Sequence, residues 1–291
     1  MESSVEKLGT ARHGAQPRWK GAPMASIQGE LGSFSHVAAL QALGEEAQVY
    51  QCRTFRQAFE AVAQGDACYA VLPIENSLVG SIHENYDLLA EFGLPIVGET
   101  EVRVSLSLLA RPGTRLEAIR RVHSHPVALN QCRRFLASLV DVEPVAGYDT
   151  AGSIWEVMER GSMRDAAIGS PFAARLHGAS VLAEGIEDDP QNFTRFLVVA
   201  RTAVAPRGAV KTSLMITLRH EPGSLLRALE PLAKHGLNVT KIESRPLRGR
   251  PWEYVFYLDV VGPGDASAAV TELDSVVAGV RVLGCYQPAQ R

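Results

Sequence analysis

The sequence predicts an α/β protein built in two parts, and three observations carry that reading. Over residues 26–200, short apolar runs alternate with amphipathic segments of helical period, the pattern that builds a mostly parallel sheet flanked by helices. Residues 211–285 hold a second, shorter alternation in the order β-α-β-β-α-β. Between them, RTAVAPRGAV at 201–210 has a Pro, a Gly and no period, which suits a linker. A chain of 291 residues fits more than one ordinary domain and fewer than three.

The elements follow in order. Ser33 to Leu43 reads as a helix opened by a Gly-Ser cap. Thr54 to Gln64 is a second, with Phe55, Ala58, Phe59 and Val62 on one face. Ala70-Val71-Leu72 is a buried strand, and Ile96-Val97 and Val102 to Leu109 are further strands. Helices are expected at Pro126 to Leu139 and Ala151 to Glu159, and strands at Ala166 to Ile168 and Phe193 to Val199. In the second part, strands are expected at Thr212 to Leu218, Val239 to Glu243, Tyr254 to Val260 and Val280 to Gly284. Helices are expected at Gly223 to His235, with Leu225, Leu226, Leu229 and Leu232 inward, and at Ser267 to Val277. That order in so short a span is the ferredoxin-like split β-α-β arrangement.

Composition narrows the function. With 29 Lys+Arg against 32 Asp+Glu, the formal net charge is −3, so no overall basic field exists to hold nucleic acid or an anionic membrane. No apolar run approaches the roughly 20 residues of a bilayer span. Residues 1–25 are polar and lack an apolar signal core, and read as a disordered tail. Cys52, Cys68, Cys132 and Cys285 are scattered, as suits packing residues in a reducing cytoplasm.

Five short motifs carry chemistry or capping. Gly29-Glu30-Leu31-Gly32-Ser33 before a helix is either a turn and cap or a cradle for an anion. Glu75-Asn76-Ser77, with Gly80-Ser81 following, puts a carboxylate, an amide and hydroxyls at a strand end, where an α/β cleft needs them. The same residues also make an ordinary Asn-Ser turn. His123-Ser124-His125 has the two-residue spacing of a metal pair, but no third ligand stands at a recognisable distance, so no metal is expected. Asp149-Thr150-Ala151-Gly152 opens a helix. Asn192-Phe193-Thr194-Arg195-Phe196 interrupts an apolar strand with polar groups. These face a cleft, or Arg195 closes an ion pair to Asp188 or Asp189. No Ser-His-Asp or Cys-His arrangement is legible.

Taken together and in this order, the motifs resemble prephenate dehydratase, and the second part resembles its regulatory ACT domain. The residues carrying the resemblance are GELGSFSH at 29–36, VLPIENSLVGSIHENYDLL at 71–89, SHP with Gln131-Cys132, DTAG at 149–152 and DDPQNFTRFLV at 188–198. In the second part they are KTSL at 211–214, PGSLL at 222–226, GLNVTKIESRP at 236–246 and WEYVFYLDVVG at 252–262. Val127 and His220 depart from the usual pattern.

The resemblance implies decarboxylative dehydration of prephenate to phenylpyruvate, with no metal or organic cofactor. It implies a two-lobed catalytic domain over 26–200, similar to periplasmic binding proteins, with lobes at about 26–103 plus 187–200 and about 104–186. It implies a catalytic set of Thr194, Glu75 and Asn76, Glu75 being the candidate proton source. Ser33, Ser124, Gln131, Thr150, Arg195 and Phe196 are implied to hold substrate. The ACT domain at 211–285 is implied to bind phenylalanine through Gly223, Ser224, Leu225, Leu226, Asn238, Glu243, Ser244, Arg245 and Pro246, between copies of a homodimer or homotetramer. A fused chorismate mutase, found in some members, needs far more than 25 residues, so a monofunctional enzyme is expected. Two rival readings are arogenate dehydratase, acting on the transaminated substrate, and a non-catalytic amino-acid sensor.

Overall fold

The computed structural model describes residues 22–204, 210–247, 249–250, 252–262 and 266–289. The tail expected at 1–25 lies outside them up to residue 21, as does the middle of the linker expected at 201–210. The chain divides into two compact units. One holds Pro23–Asn85 and Thr100–Phe196; the other holds Tyr86–Glu99 and the described residues from Leu197 onward.

In the first unit, strands β1 (Met24–Gln28), β2 (Gln48–Cys52) and β3 (Tyr69–Asn76) run parallel, with β1 between the other two. Helix α1 (Phe34–Leu43) joins β1 to β2, and α2 (Phe55–Gln64) joins β2 to β3. Helix α1 starts on the cap the sequence predicts, Ser33 Oγ accepting from His36 N; in α2, Thr54, expected as the first helical residue, is instead its cap, with Oγ1 accepting from Gln57 N. A two-residue strand, β4 (Gly80–Ser81), folds back on the end of β3, and α3 (His83–Phe92) follows. Strand β5 (Ile96–Arg103) then leads to the second sheet.

That sheet contains β6 (Ser107–Ala110), β7 (Arg121–Ser124), β8 (Glu143–Ala146), β9 (Asp165–Gly169) and β10 (Ser180–Glu184), in the order β10-β6-β9-β7-β8. Strands β7, β8, β9 and β10 all point one way, and β6 alone runs against them, pairing antiparallel with both β9 and β10, so the sheet is mostly parallel in direction with one reversed strand inside it. Its helices are α4 (Pro126–Gln131), α5 (Arg133–Ser138), α6 (Thr150–Arg160) and α7 (Pro171–His177). Leu106, Leu108, Ile119, Val122 and Ile168 form its main core. The first four residues of β11 (Phe193–Ala200) return to the lobe of β1–β3.

Two expected elements are divided, each for a reason remote in sequence. Val102 to Leu109 is not one strand, because residues 104–106 turn their amides elsewhere. Val104 N donates to Asn192 O, and Leu106 N donates to the Glu187 carboxylate. The helix expected over 126–139 breaks at Cys132, where Asp188 enters. Asp188 N donates to Gln131 O, and its Oδ1 accepts from Arg134 N. Cys132 is fully buried, and burial, with Asp188 and Glu187 nearby, pushes its thiol up to about 12, as suits a packing residue.

The second unit has the expected β-α-β-β-α-β order: β12 (Val210–Thr217), α8 (Ser224–Lys234), β13 (Asn238–Pro246), β14 (Tyr254–Gly262), α9 (Ser267–Val276) and β15 (Gly279–Tyr286). The four strands are antiparallel in the order β13-β14-β12-β15. Leu214, Ile216, Leu258 and Val260 pack against Ala228 and Leu232 of α8 and Ala269 and Leu273 of α9. Leu226, expected inward, is 65% exposed. The stripe at 225, 228, 229 and 232 already fills the buried face, and 226 lies one residue round from it.

The opposite face carries residues 86–92 of α3, while residues 96–99 of β5 lie beside β15 in the sheet. The Tyr86 and Tyr257 rings lie 4.8 Å apart, and Tyr257 Oη donates to Tyr86 O. Arg281 donates to the carbonyls of Leu89 and Ala90 near the end of α3, where a helix leaves acceptors free. Ile96 of β5 pairs with Gly284 of β15, and a Cβ at Gly284 would fall 2.2 Å from Ile96 O, so only glycine fits there. Among the described residues no helix is long and apolar enough to cross a membrane.

Candidate active site

A cavity of about 640 Å³ lies in the first unit, at the C-terminal ends of its parallel strands, where α/β sheets bind ligands. Three helices of ten or eleven residues begin on it: α1 through Ser33, α2 through Thr54, and α6 through Asp149 and Thr150. Their free N–H groups and positive dipole ends suit an anion, although the chain's net charge is negative.

The turn before α1 is held from behind. His36 Nδ1 accepts from Gly32 N at 3.1 Å, and burial lowers the His36 pKa, so the ring is neutral as that bond requires. Gly32 has φ 92° and leaves no room for a Cβ, which would lie 2.9 Å from Ala173. Ser170 Oγ donates to Gly32 O at 2.7 Å. This turn therefore fits closely against the start of α7.

Strand alternation sorts the 193–196 segment. Thr194 and Phe196 are buried and line the cavity; Arg195 points away and meets Glu75 of β3 at 3.4 Å. The partner of Arg195 is thus Glu75, not Asp188 or Asp189. Thr194 Oγ1 accepts from Asn76 Nδ2 at 3.0 Å, and Asn76 Oδ1 accepts from the amides of Leu78 and Val79. Thr194 Oγ1 donates no hydrogen bond among the described residues, so its proton can be turned to a ligand.

Of the residues assigned from sequence, the structure brings Asn76, Thr194, Ser33, Gln131, Thr150 and Phe196 together around the cavity. It does not bring Glu75, Arg195 or Ser124 there. Glu75 and Arg195 occupy each other on the far side of their strands. Ser124 is fully buried and donates to Ile168 O at 2.8 Å, tying β7 to β9. His123 Nε2 turns to Asp165, and His125 Nδ1 accepts from Val127 N.

Arg53, Tyr148 and Glu84, to which the sequence assigned no role, also line the cavity, as does His125, considered from sequence only as half of a metal pair. Arg53 follows the last residue of β2 and precedes the cap of α2, and Tyr148 Oη donates to its carbonyl at 2.8 Å. The signal available was position: a cation between a strand's C-terminal end and a helix cap faces the ligand side of such a sheet.

In the second unit, Gly223 caps α8 with φ 80°, and Ser224 Oγ donates to the Arg219 and Glu221 carbonyls. Leu225 is half-buried beside exposed Leu226. Asn238, Ser244 and Pro246 are exposed along β13, which is the edge of the four-stranded sheet. Glu243 and Arg245 are half-buried between them, and Arg245 is paired with Asp87.

The family model for prephenate dehydratase matches residues 25–204. The chain belongs to the prephenate dehydratase family. The ACT domain model matches residues 212–278. The chain is 40% identical over 280 residues to "Arogenate dehydratase/prephenate dehydratase 1, chloroplastic" of Arabidopsis thaliana, covering 90% of this chain and 71% of that protein. Among solved structures, prephenate dehydratase in complex with L-Phe from Arthrobacter aurescens has a TM-score of 0.82 and 34% identity, covering 90% of this chain and 89% of that one. The structure of GqqA, described as a novel type of quorum quenching acylase, has a TM-score of 0.83 and 37% identity, covering 92% of this chain and 98% of that one.

Proposed function

We propose that this chain converts prephenate to phenylpyruvate, carbon dioxide and water, under the control of phenylalanine. The dehydratase part is 26–200, in the two lobes expected from sequence, and the ACT part is 211–285, joined by 201–210. The observation that carries the reading is the Thr194 hydroxyl, buried at the cavity wall with its oxygen accepting from Asn76 and its proton free for a ligand.

In the reaction, the bond from ring carbon to ring carboxylate breaks and its electron pair enters the ring. The carbon–hydroxyl bond opposite breaks, and the hydroxyl takes up one proton, drawn from solvent, to leave as water. Aromatisation drives both, so no metal or organic cofactor is required. Thr194 donates a hydrogen bond to the departing hydroxyl, and a donor fixed in a sheltered site stabilises developing charge far better than water does. Asn76 sets the direction of that donor. The α1, α2 and α6 N-termini, with Ser33, Thr150 and the Arg53 guanidinium, hold the two carboxylates. Gln131 and Phe196 shape the wall around the ring.

Glu75 is withdrawn from proton donation in this reading, because it faces Arg195 and not the cavity. Arg195 becomes a support for β3, and Ser124 a tie between strands. Phenylalanine binds at Gly223–Leu226 and along Asn238–Pro246, shared between two copies of the chain in a homodimer or homotetramer. The enzyme works in the cytoplasm.

Glu84 and Asp149 favour a second substrate. Both carboxylates line the cavity and can accept from an ammonium group, which arogenate carries and prephenate lacks. Side-by-side kinetics of the purified enzyme on prephenate and arogenate, with and without phenylalanine, test the reading. Turnover of prephenate that responds to phenylalanine is expected. No turnover of either substrate would leave only a sensor.

A further inference from the structure

Asn192 is fully buried, yet only half of its amide is used. Its Oδ1 accepts from Asn76 Nδ2 at 2.7 Å, while its own Nδ2 has no hydrogen-bond partner among the described residues. A bare buried amide hydrogen is costly and rare in folded proteins, so a strong constraint must hold Asn192 in this orientation.

The donor pattern around Asn76 supplies it. Asn76 Oδ1 is taken by Leu78 N and Val79 N, each at 3.0 Å, so its Nδ2 must face β11. There its two hydrogens meet three acceptors: Asn192 Oδ1, Phe193 O at 3.1 Å and Thr194 Oγ1 at 3.0 Å. Turning the Asn192 amide over would set one amino group against another and release Asn76 to swing. The Asn192 carbonyl also accepts from Val104 N at 2.8 Å, so its backbone is fixed by the segment that divides β5 from β6.

We propose that Asn192 is a positioning residue for the dehydration. By accepting from Asn76 it fixes the amide that in turn fixes Thr194, so that the Thr194 proton is aimed at the leaving hydroxyl. Asn192 is not among the residues lining the cavity and acts through Asn76 alone. The proposal rests on the reading of Thr194 given above.

The test is steady-state kinetics of Asn192→Leu, Asn192→Asp and Thr194→Val, with the double variant N192L/T194V, each normalised to folded enzyme by thermal melting. N192L is expected to lower kcat about tenfold with KM held within about threefold, since a small misorientation costs turnover more than binding. N192D keeps the accepting oxygen and is expected to recover most of that loss. In the T194V background N192L is expected to cost nothing more, because the group it positions is gone. Equal losses from N192L in both backgrounds, or full kcat in N192L beside an impaired T194V, would overturn the proposal alone. Full kcat in T194V would overturn the reading of Thr194 and the proposal with it. If N192L does not fold, N192D decides: kcat near wild type supports the proposal, and kcat as low as that of T194V overturns it.

Discussion

Arg245 and Asp87 form a two-point ion pair, Nε to Oδ1 at 3.3 Å and Nη2 to Oδ2 at 3.0 Å, with both side chains about four-fifths buried. Arg245 belongs to the ESRP segment assigned to the effector, and Asp87 lies on α3, the helix whose first turn contributes Glu84 to the cavity. One helix therefore carries a cavity-lining residue and the partner of an effector-segment arginine.

Asp87→Asn is expected to weaken the phenylalanine response while sparing the basal reaction. Losing the pair frees Arg245 and raises the half-maximal phenylalanine concentration about fivefold or more, within the usual range of coupling energies. The basal kcat/KM should stay within about twofold, since Asp87 is not part of the cavity wall. Inhibition curves for wild type and variant check this; an unshifted curve contradicts it.

Arg53→Gln is expected to raise KM for prephenate about tenfold or more with kcat changed much less, the signature of lost binding shared by ground and transition states. Among the described residues, Arg53 is the one guanidinium on the cavity wall. A lowered kcat with unchanged KM would instead place Arg53 in the chemistry.

Asp165 gives the fold a measurable acid dependence. Its carboxylate is almost fully buried and accepts from Arg121 Nε, Ser162 N and Ser162 Oγ, each at 2.7 Å. Burial alone would raise its pKa, but the bonds from Arg121, Ser162 and His123 outweigh burial and hold it well below the usual carboxylate range. A carboxylate with a depressed folded pKa stabilises the fold above its unfolded value of about 3.9, and that stability is lost as pH falls below it. Asp165→Asn should therefore cost about 2–3 kcal/mol at neutral pH, and the gap to wild type should narrow below about pH 4. Urea unfolding across that range measures it; a pH-independent gap would contradict the assignment.

Much of this molecule is legible in the sequence because its signals are local. Ser33 caps the helix it precedes, and period-two alternation is enough to put Thr194 and Phe196 on one face. The same alternation sends Arg195 to the other face, yet residue type alone makes it look like a carboxylate anchor. What stays hidden depends on remote partners. Asp188 splits a helix some fifty residues away, and Asn192 and Glu187 draw off the amides that would have continued a strand. Ser124 reads as an anion donor until β9 is seen to supply Ile168 O beside it. Arg53 is marked only by its place between the end of β2 and the cap of α2, because residue type alone does not distinguish a ligand-facing arginine from a solvated one.

The central claim is that Thr194 presents its proton to the leaving hydroxyl. Thr194→Val keeps the shape and removes only that donor, so the most direct measurement is its kcat for phenylpyruvate formation from prephenate, with KM and the melting temperature taken on the same preparation. The expected result is a fall in kcat of about a hundredfold, the usual cost of one well-aimed transition-state donor, with KM and stability little changed. Turnover equal to wild type in a folded T194V enzyme would contradict it.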